Sequence, residues 1–400
     1  MTDLTKKRVY TVVQSGARMH YAVPALLAQA GALAAFYTDC HASHRPLQWL
    51  KTLLPTTYQP KPLKRLLGRQ LPPELPRQLV RDQPLASLTW ARRGDRSDAL
   101  VLQRACQEQF GGANALYTNF INNDLATVQQ ARNLGLHIVH ELITPPIIGR
   151  IALEERQRFP KIEITHETSD EVEQGIQKDI KKWELSDQVL VPSQFCLDTA
   201  VFLGCHIEKI RVVPYGLSEE WFHLQAEPKL GRILCVGRPS LLKGTHILAE
   251  ACRLLQQKSL SFECRVAGPP QVDINHSLFE GPTYIGQVPR SQVREEFRQA
   301  DVFVLPTLAD SFGLVHLEAM ACGVPVITTP HCGSVVRDGI DGFIVPIRDA
   351  TALADRLEQL LSDRSLRDRM GAAARDRARE FTWARYGDRL LAALQVERYS

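Results

Sequence analysis

The chain has 400 residues, more than one core comfortably serves and suited to two domains of roughly 200 each. At 44% hydrophobic and 23% charged, with no low-complexity tract, its composition excludes a disordered or fibrous protein. A net charge of +4 is too mild for this length to suggest a nucleic-acid partner.

The charge is uneven. Between residues 45 and 96, eleven Lys/Arg stand against three Asp/Glu, a local excess of about +8. The nine cysteines are odd in number and scattered, without a Cys-x-x-Cys. They read as buried free thiols in a reducing compartment rather than as disulfides or a zinc site. The opening "MTDLTKKRVYTVVQ" has no apolar core of signal-peptide length. No apolar run approaches the roughly eighteen residues a spanning helix needs. The expected location is cytoplasmic, with peripheral attachment at the inner membrane face as an added expectation.

In chain order, a β-rich run at Arg8–Val13 gives way to the loop "QSGARMH", then a helical stretch, then a second apolar run. This is the βαβ rhythm of a parallel sheet, and the loop sits at a strand's C-terminal end, where such sheets place ligands. The Pro-rich basic stretch 45–96 alternates cations with Leu at helical spacing. It reads as a solvated insertion of short helices, as a surface for anionic lipid headgroups or a lipid-phosphate acceptor, or, least readily because aromatic interleaving is sparse, as a nucleic-acid surface.

Strand rhythm resumes at residues 115–120 and 136–141, followed by a charged helical region from Ile147 to about Leu185. "DQVLVPSQF" and "IRVVPYGL" read as further strands, and residues 217–229 as an interdomain linker. The second half repeats the pattern: "GRILCVG", "FECRVAG", "PTYIG", "DVFVLPT", "VPVITT" and "GFIVP" as strands, with helices between them and a helical end. The expected fold is α/β: two Rossmann-like doubly wound domains, 1–216 and 230–380, facing a cleft between strand ends.

Two stretches carry chemistry. In "VGRPSLLKGTHIL", Arg238 and Lys243 follow the strand end at Gly237. Two cations beside a helix start can neutralise a diphosphate, although the stretch is neither a Walker loop nor a Gly-x-Gly-x-x-Gly turn. In "ADSFGLVHLEAMACGVPV" a helix is expected from Phe312 or Gly313, with Ser311 as its N-cap. The backbone N–H groups of Phe312, Gly313 and Leu314 would then face the cleft. Glu318, too deep in the helix to serve its dipole and set among apolar residues, needs a partner; a carboxylate there suits a cis-diol such as ribose. Asp310 can serve sugar hydroxyls in the same way.

"VGRPSLLKG", "AGPP", "YIGQV", "ADVFVLPTLADSFGLVHLEAMACGVPVITT", "RDGIDGFIVP" and "FTWARYGDRLLAAL" together resemble the family-four retaining glycosyltransferases of GT-B fold. The likeness covers residues 185–396 closely and the N-terminal half more loosely. It implies an acceptor-binding N-terminal domain, a nucleotide-sugar-binding C-terminal domain, and a last helix (381–400) crossing back to the N-terminal domain. It implies that Arg238 and Lys243 hold the donor diphosphate, Glu318 the ribose and Asp310 the transferred sugar. Ser311, Phe312, Gly313 and Leu314 would line the donor, with Gly237 and Gly286, and Gly16 would lie near the phosphates or the acceptor.

Asp310 departs from the family's usual Glu, and "PHCGSVVRDG" replaces the usual Gly-Gly…Glu loop. His140, at the end of the 136–141 strand, is the candidate near the anomeric carbon, with His166-Glu167 as competitor. The implied reaction takes a nucleotide sugar and a sugar, glycolipid or small-molecule acceptor, without cofactor or metal. Another GT-B activity, such as epimerase or phosphorylase, and a catalytically dead nucleotide-sugar binder are the alternatives.

Overall fold

A computed structural model describes residues 7–44, 47, 49, 53, 61–83, 95–121, 123–163 and 167–397. Within the basic stretch, residues 45, 46, 48, 50–52, 54–60 and 84–94 lie outside the described residues, as does His166.

Two parallel sheets organise the chain. The first has seven strands: β1 Tyr10–Val13, β2 Leu33–Thr38, β3 Val80–Asp82, β4 Ala115–Thr118, β5 His137–Glu141, β6 Gln188–Val191 and β7 Ile210–Val212, in spatial order β3-β2-β1-β4-β5-β6-β7. The second has six: β8 Arg232–Val236, β9 Glu263–Ala267, β10 Thr283–Gly286, β11 Val302–Leu305, β12 Val326–Thr328 and β13 Gly342–Ile344, in order β10-β9-β8-β11-β12-β13. Every strand pairing is parallel. The central strands are apolar and buried throughout, as in Val302–Leu305, because helices cover both faces. The strand order reverses between β1 and β4 and between β8 and β11. Those two switch points are where an open α/β sheet leaves a crevice for a ligand.

The expected strands are present, with corrections. β3 lies in the basic stretch, where no strand was expected; it pairs with β2 through Phe36 opposite Val80 and forms the sheet edge. The region 147–185 is two helices, Ile147–Arg158 and Ser169–Leu185. Pro160 interrupts them, and Thr168 with Glu171 forms a capping box that restarts the chain. The long C-terminal helical stretch divides at Asp363, whose side chain caps Arg364–Ala378 after Ala350–Ser362 ends.

The linker region is docked rather than free. Trp221 is fully buried and packs edge-on against Phe297, with ring centroids 5.4 Å apart. The chain crosses between domains twice at one place. Leu217 N–H donates to the Phe381 carbonyl at 2.7 Å, and Trp383 N–H to the Leu217 carbonyl at 3.2 Å. A Cβ on Gly216 would lie 2.8 Å from the Thr382 oxygen, so only glycine fits the crossing. The last helix, Trp383–Leu394, then lies on the first sheet's domain: Tyr10 Oη donates to the Leu394 carbonyl and Gln188 Nε2 to the Ala393 carbonyl.

On the far side, the Ile147–Arg158 helix reaches the second domain. Glu155, fully buried, is 2.9 Å from His246 Nε2 and 2.6 Å from Arg348 Nε. All nine cysteines are free and eight are buried. Among the described residues, no helix is long and apolar enough to cross a membrane.

Candidate functional site

The facing strand ends enclose a cavity of about 1220 Å³. Arg18 and Tyr215 line it from the first domain, and Arg290, Arg294, Leu314 and Glu318 from the second. Leu314 and Glu318 share one helix face because they are four residues apart; Arg290 and Arg294 do the same on the Arg290–Gln299 helix.

Glu318 is half-buried and makes no hydrogen bond or ion pair to a described residue. Burial raises its carboxyl to about 7, against the weaker opposing pull of Arg290 and Arg294. Arg294 is itself committed, 2.5 Å from Glu220 and over the Trp221 ring. Glu318, which the sequence marks as a carboxylate in need of a partner, has none among the described residues.

At the β8/β11 switch point, Lys243 forms an ion pair with Asp310 across the crevice. Arg238, one residue past Gly237, is exposed and makes no hydrogen bond or ion pair to a described residue. Gly237 N–H donates to the Ala267 carbonyl at 2.9 Å, and Gly268 N–H to the Gly286 carbonyl at 2.8 Å. These bonds bring the ends of β8, β9 and β10 into one layer, with open space beside Gly286. Arg238, Lys243 and Asp310 stand outside the cavity lining that holds Glu318, on adjoining loops of the same crevice.

The helix start differs from expectation. The helix is Leu314–Ala321, its N-cap is Gly313 with φ of 61°, and no side chain caps it. Ser311 is not the cap. Its carbonyl accepts from Ser193 Oγ at 2.7 Å, tying this loop to the first domain, and its N–H donates to Asp310 Oδ1 at 2.8 Å. Without a capping side chain, the N–H groups of Phe312, Gly313 and Leu314 donate to no described residue and remain for a ligand. Phe312 is buried edge-on against Tyr215, 5.3 Å between centroids. Gly313 is glycine for an internal reason as well, since a Cβ would lie 2.9 Å from the His316 ring and 3.0 Å from Cys332 Sγ. The departing loop "PHCGSVV" packs here, and His331 stacks on Phe195 at 4.8 Å across the domain boundary.

His140 stands apart from the cavity lining. It is buried within β5, its Nδ1 has no hydrogen-bond partner, and it does not line the cavity. Burial, reinforced by the Lys182 ammonium, holds its pKa well below the ordinary histidine value. Lys182 is fully buried, 3.2 Å from Asp124 and 3.1 Å from Asp179. His140 therefore belongs to an internal polar cluster rather than to the cleft.

Its neighbour Glu141 has the opposite orientation, as successive strand residues must. Its carboxylate accepts from Tyr117 Oη at 2.9 Å, Asn119 Nδ2 at 3.1 Å, Tyr215 Oη at 2.8 Å and Arg18 Nη2 at 3.3 Å. Burial works to raise its pKa, but Arg18 and the hydrogen-bond donors outweigh it and hold the carboxyl below its ordinary value. Sequence reasoning missed Glu141, Arg18 and Tyr215. The one available signal was that Glu141 is the last residue of a strand in a sheet whose C-terminal ends hold ligands. Gly16, with φ of 71°, turns the loop that carries Arg18; its N–H donates to Oδ1 of Asp39, whose Oδ2 pairs with Arg69.

Comparison with known proteins agrees with this architecture. Residues 219–377 match the family described as glycosyl transferases group 1. A D-inositol 3-phosphate glycosyltransferase of Paenarthrobacter aurescens (strain TC1) is 26% identical over 316 residues, 73% of this chain and 74% of that protein. Other curated relatives match over about half their length or less. Sucrose-phosphate synthase from Thermosynechococcus elongatus superposes with a TM-score of 0.65 at 17% identity, covering 97% of this chain and 98% of that one. Anabaena HepE in complex with UDP gives 0.63 at 16% identity, covering 97% and 100%. With the group 1 match confined to its second domain and GT-B glycosyltransferase neighbours along nearly its whole length, this chain has the GT-B fold, and its second domain is similar to the group 1 glycosyltransferases.

Proposed function

We propose that the protein transfers a sugar, with retention of configuration, from a nucleoside-diphosphate sugar to an acceptor hydroxyl. The observation that carries this reading is Glu318: a half-buried carboxylate without a partner among the described residues, on the wall of the interdomain cavity. A ribose diol supplies the two donors such a group lacks. Arg238 and Lys243, at the adjoining switch point, take the diphosphate, and the free N–H groups of Phe312, Gly313 and Leu314 add oriented dipoles. Asp310, held by Lys243, faces the transferred sugar. Gly237 and Gly286 leave the strand-end layer open to the donor, and Gly16 turns the opposing loop. The solved complex of HepE with UDP and glucose, a protein of the same fold, supports a nucleotide-sugar donor.

In this reaction the bond between the anomeric carbon and the diphosphate oxygen breaks first. Charge accumulates on the leaving diphosphate, where preorganised cations and N–H groups stabilise it. The acceptor oxygen attacks the same face of the oxocarbenium-like centre, and its proton passes to a donor phosphate oxygen. No protein nucleophile is required, consistent with the withdrawn position of His140. Side-chain cations supply the positive charge, so turnover is expected to survive chelation by EDTA.

The test is a thermal-shift panel of UDP, GDP and ADP and their glucose derivatives. A ligand at 100 times its Kd stabilises the folded state by about 2.7 kcal/mol. At least one diphosphate should raise the apparent melting temperature, and Arg238→Gln with Lys243→Met should abolish the rise. Absence of any nucleotide response overturns the reading. Release of nucleoside diphosphate only when an acceptor is present distinguishes transfer from epimerisation.

A further inference from the structure

Arg18 occupies the cavity wall opposite the donor-side groups, yet the reaction above leaves it without a task. Its guanidinium is anchored on one side only. Nη2 donates to Glu141 Oε1 at 3.3 Å and to Tyr215 Oη, which itself donates to the same Glu141 oxygen at 2.8 Å. Nε is buried without a partner, and Nη1 makes no hydrogen bond to a described residue. One donor of this partly exposed arginine, Nε, is therefore buried and unused among the described residues, a costly arrangement unless a ligand supplies an acceptor.

Glu141 does not cancel this demand. It already accepts from Tyr117, Asn119 and Tyr215, so its lone pairs are spent within the protein. The cluster thus offers donors to the cavity and no acceptor. A neutral polyol, which both donates and accepts, gains little from such a surface. An oxyanion, which only accepts, fits it, and arginine is the side chain best shaped for phosphate or carboxylate.

From this geometry, and resting on the proposed function, we infer that Arg18 is an acceptor-selecting residue that binds a phosphate or carboxylate substituent of the acceptor. Glu141 and Tyr215 act as positioning residues that hold its guanidinium against the cavity. Tyr215 also packs on Phe312, so the acceptor-reading cluster touches the start of the donor-side helix.

The test measures binding to the UDP-saturated protein by calorimetry, with paired probes: D-inositol 3-phosphate against inositol, glucose 6-phosphate against glucose, and glucuronate against glucose. At least one charged member should bind ten times more tightly than its neutral partner. Arg18→Gln should reduce that preference to less than twofold while leaving the Kd for UDP unchanged. Tyr215→Phe, which removes the hydroxyl holding Nη2, should give an intermediate preference. Equal binding of charged and neutral probes by the wild type, or a preference that survives Arg18→Gln, overturns the inference. So does a loss of UDP affinity in Arg18→Gln, which would assign Arg18 to the donor. Since UDP binding is read in every sample, failure of the donor reading is distinguished from failure of this one.

Discussion

Glu318→Gln separates a structural cost from a binding role. In the folded protein the carboxyl titrates near 7, against an ordinary value of 4.5. Each tenfold change in proton affinity is about 1.4 kcal/mol, so the ionised folded state carries a penalty on the order of 3 kcal/mol. Between about pH 4.5 and 7 the folded state keeps the proton while the unfolded state has lost it, so stability falls as pH rises through that window. Below 4.5 the penalty is absent, and above 7 it is complete. Glutamine carries no charge at either extreme. The variant should therefore gain on the wild type by up to about 3 kcal/mol between pH 4.5 and 8, visible as a rise of several degrees in relative melting temperature without ligand. With UDP the order should reverse, because the variant lacks the carboxylate that accepts the ribose hydroxyls. A stability difference that is flat with pH would refute the burial argument. An unchanged UDP shift would refute the ribose contact.

Three other outcomes follow from the geometry. The His140 ring should show no titration between pH 5 and 8 by NMR, since burial and Lys182 keep it neutral; a midpoint near 6.5 would return it to the cleft. Glu155→Ala should cost about 3–5 kcal/mol by leaving Arg348 and His246 without their buried carboxylate, and should raise the radius of gyration as the domains separate. Gly313→Ala should cost at least about 1–2 kcal/mol for the left-handed backbone alone, with more from contact with His316 and Cys332, and should weaken UDP binding as the helix start shifts.

Short-range chemistry made much of this protein legible in one dimension. The continuous apolar runs announce parallel strands because both sheet faces are covered, and the turn residues after them locate the ligand-bearing ends. Glu318 could be singled out because a carboxylate in an apolar helix is costly wherever the chain folds. The same covering of both faces hid what β5 does: with no polar–apolar alternation, nothing distinguished His140 from Glu141. Helix breaks at Pro160 and Asp363 were local signals passed over within long charged stretches. Ser311 resembled a cap locally, but its carbonyl is held by Ser193, 118 residues away. Likewise Arg18 meets Glu141 across 123 residues and Glu141 meets Tyr215 across 74. Such pairings depend on how two sheets face each other, so only the tertiary structure decided which groups close the site.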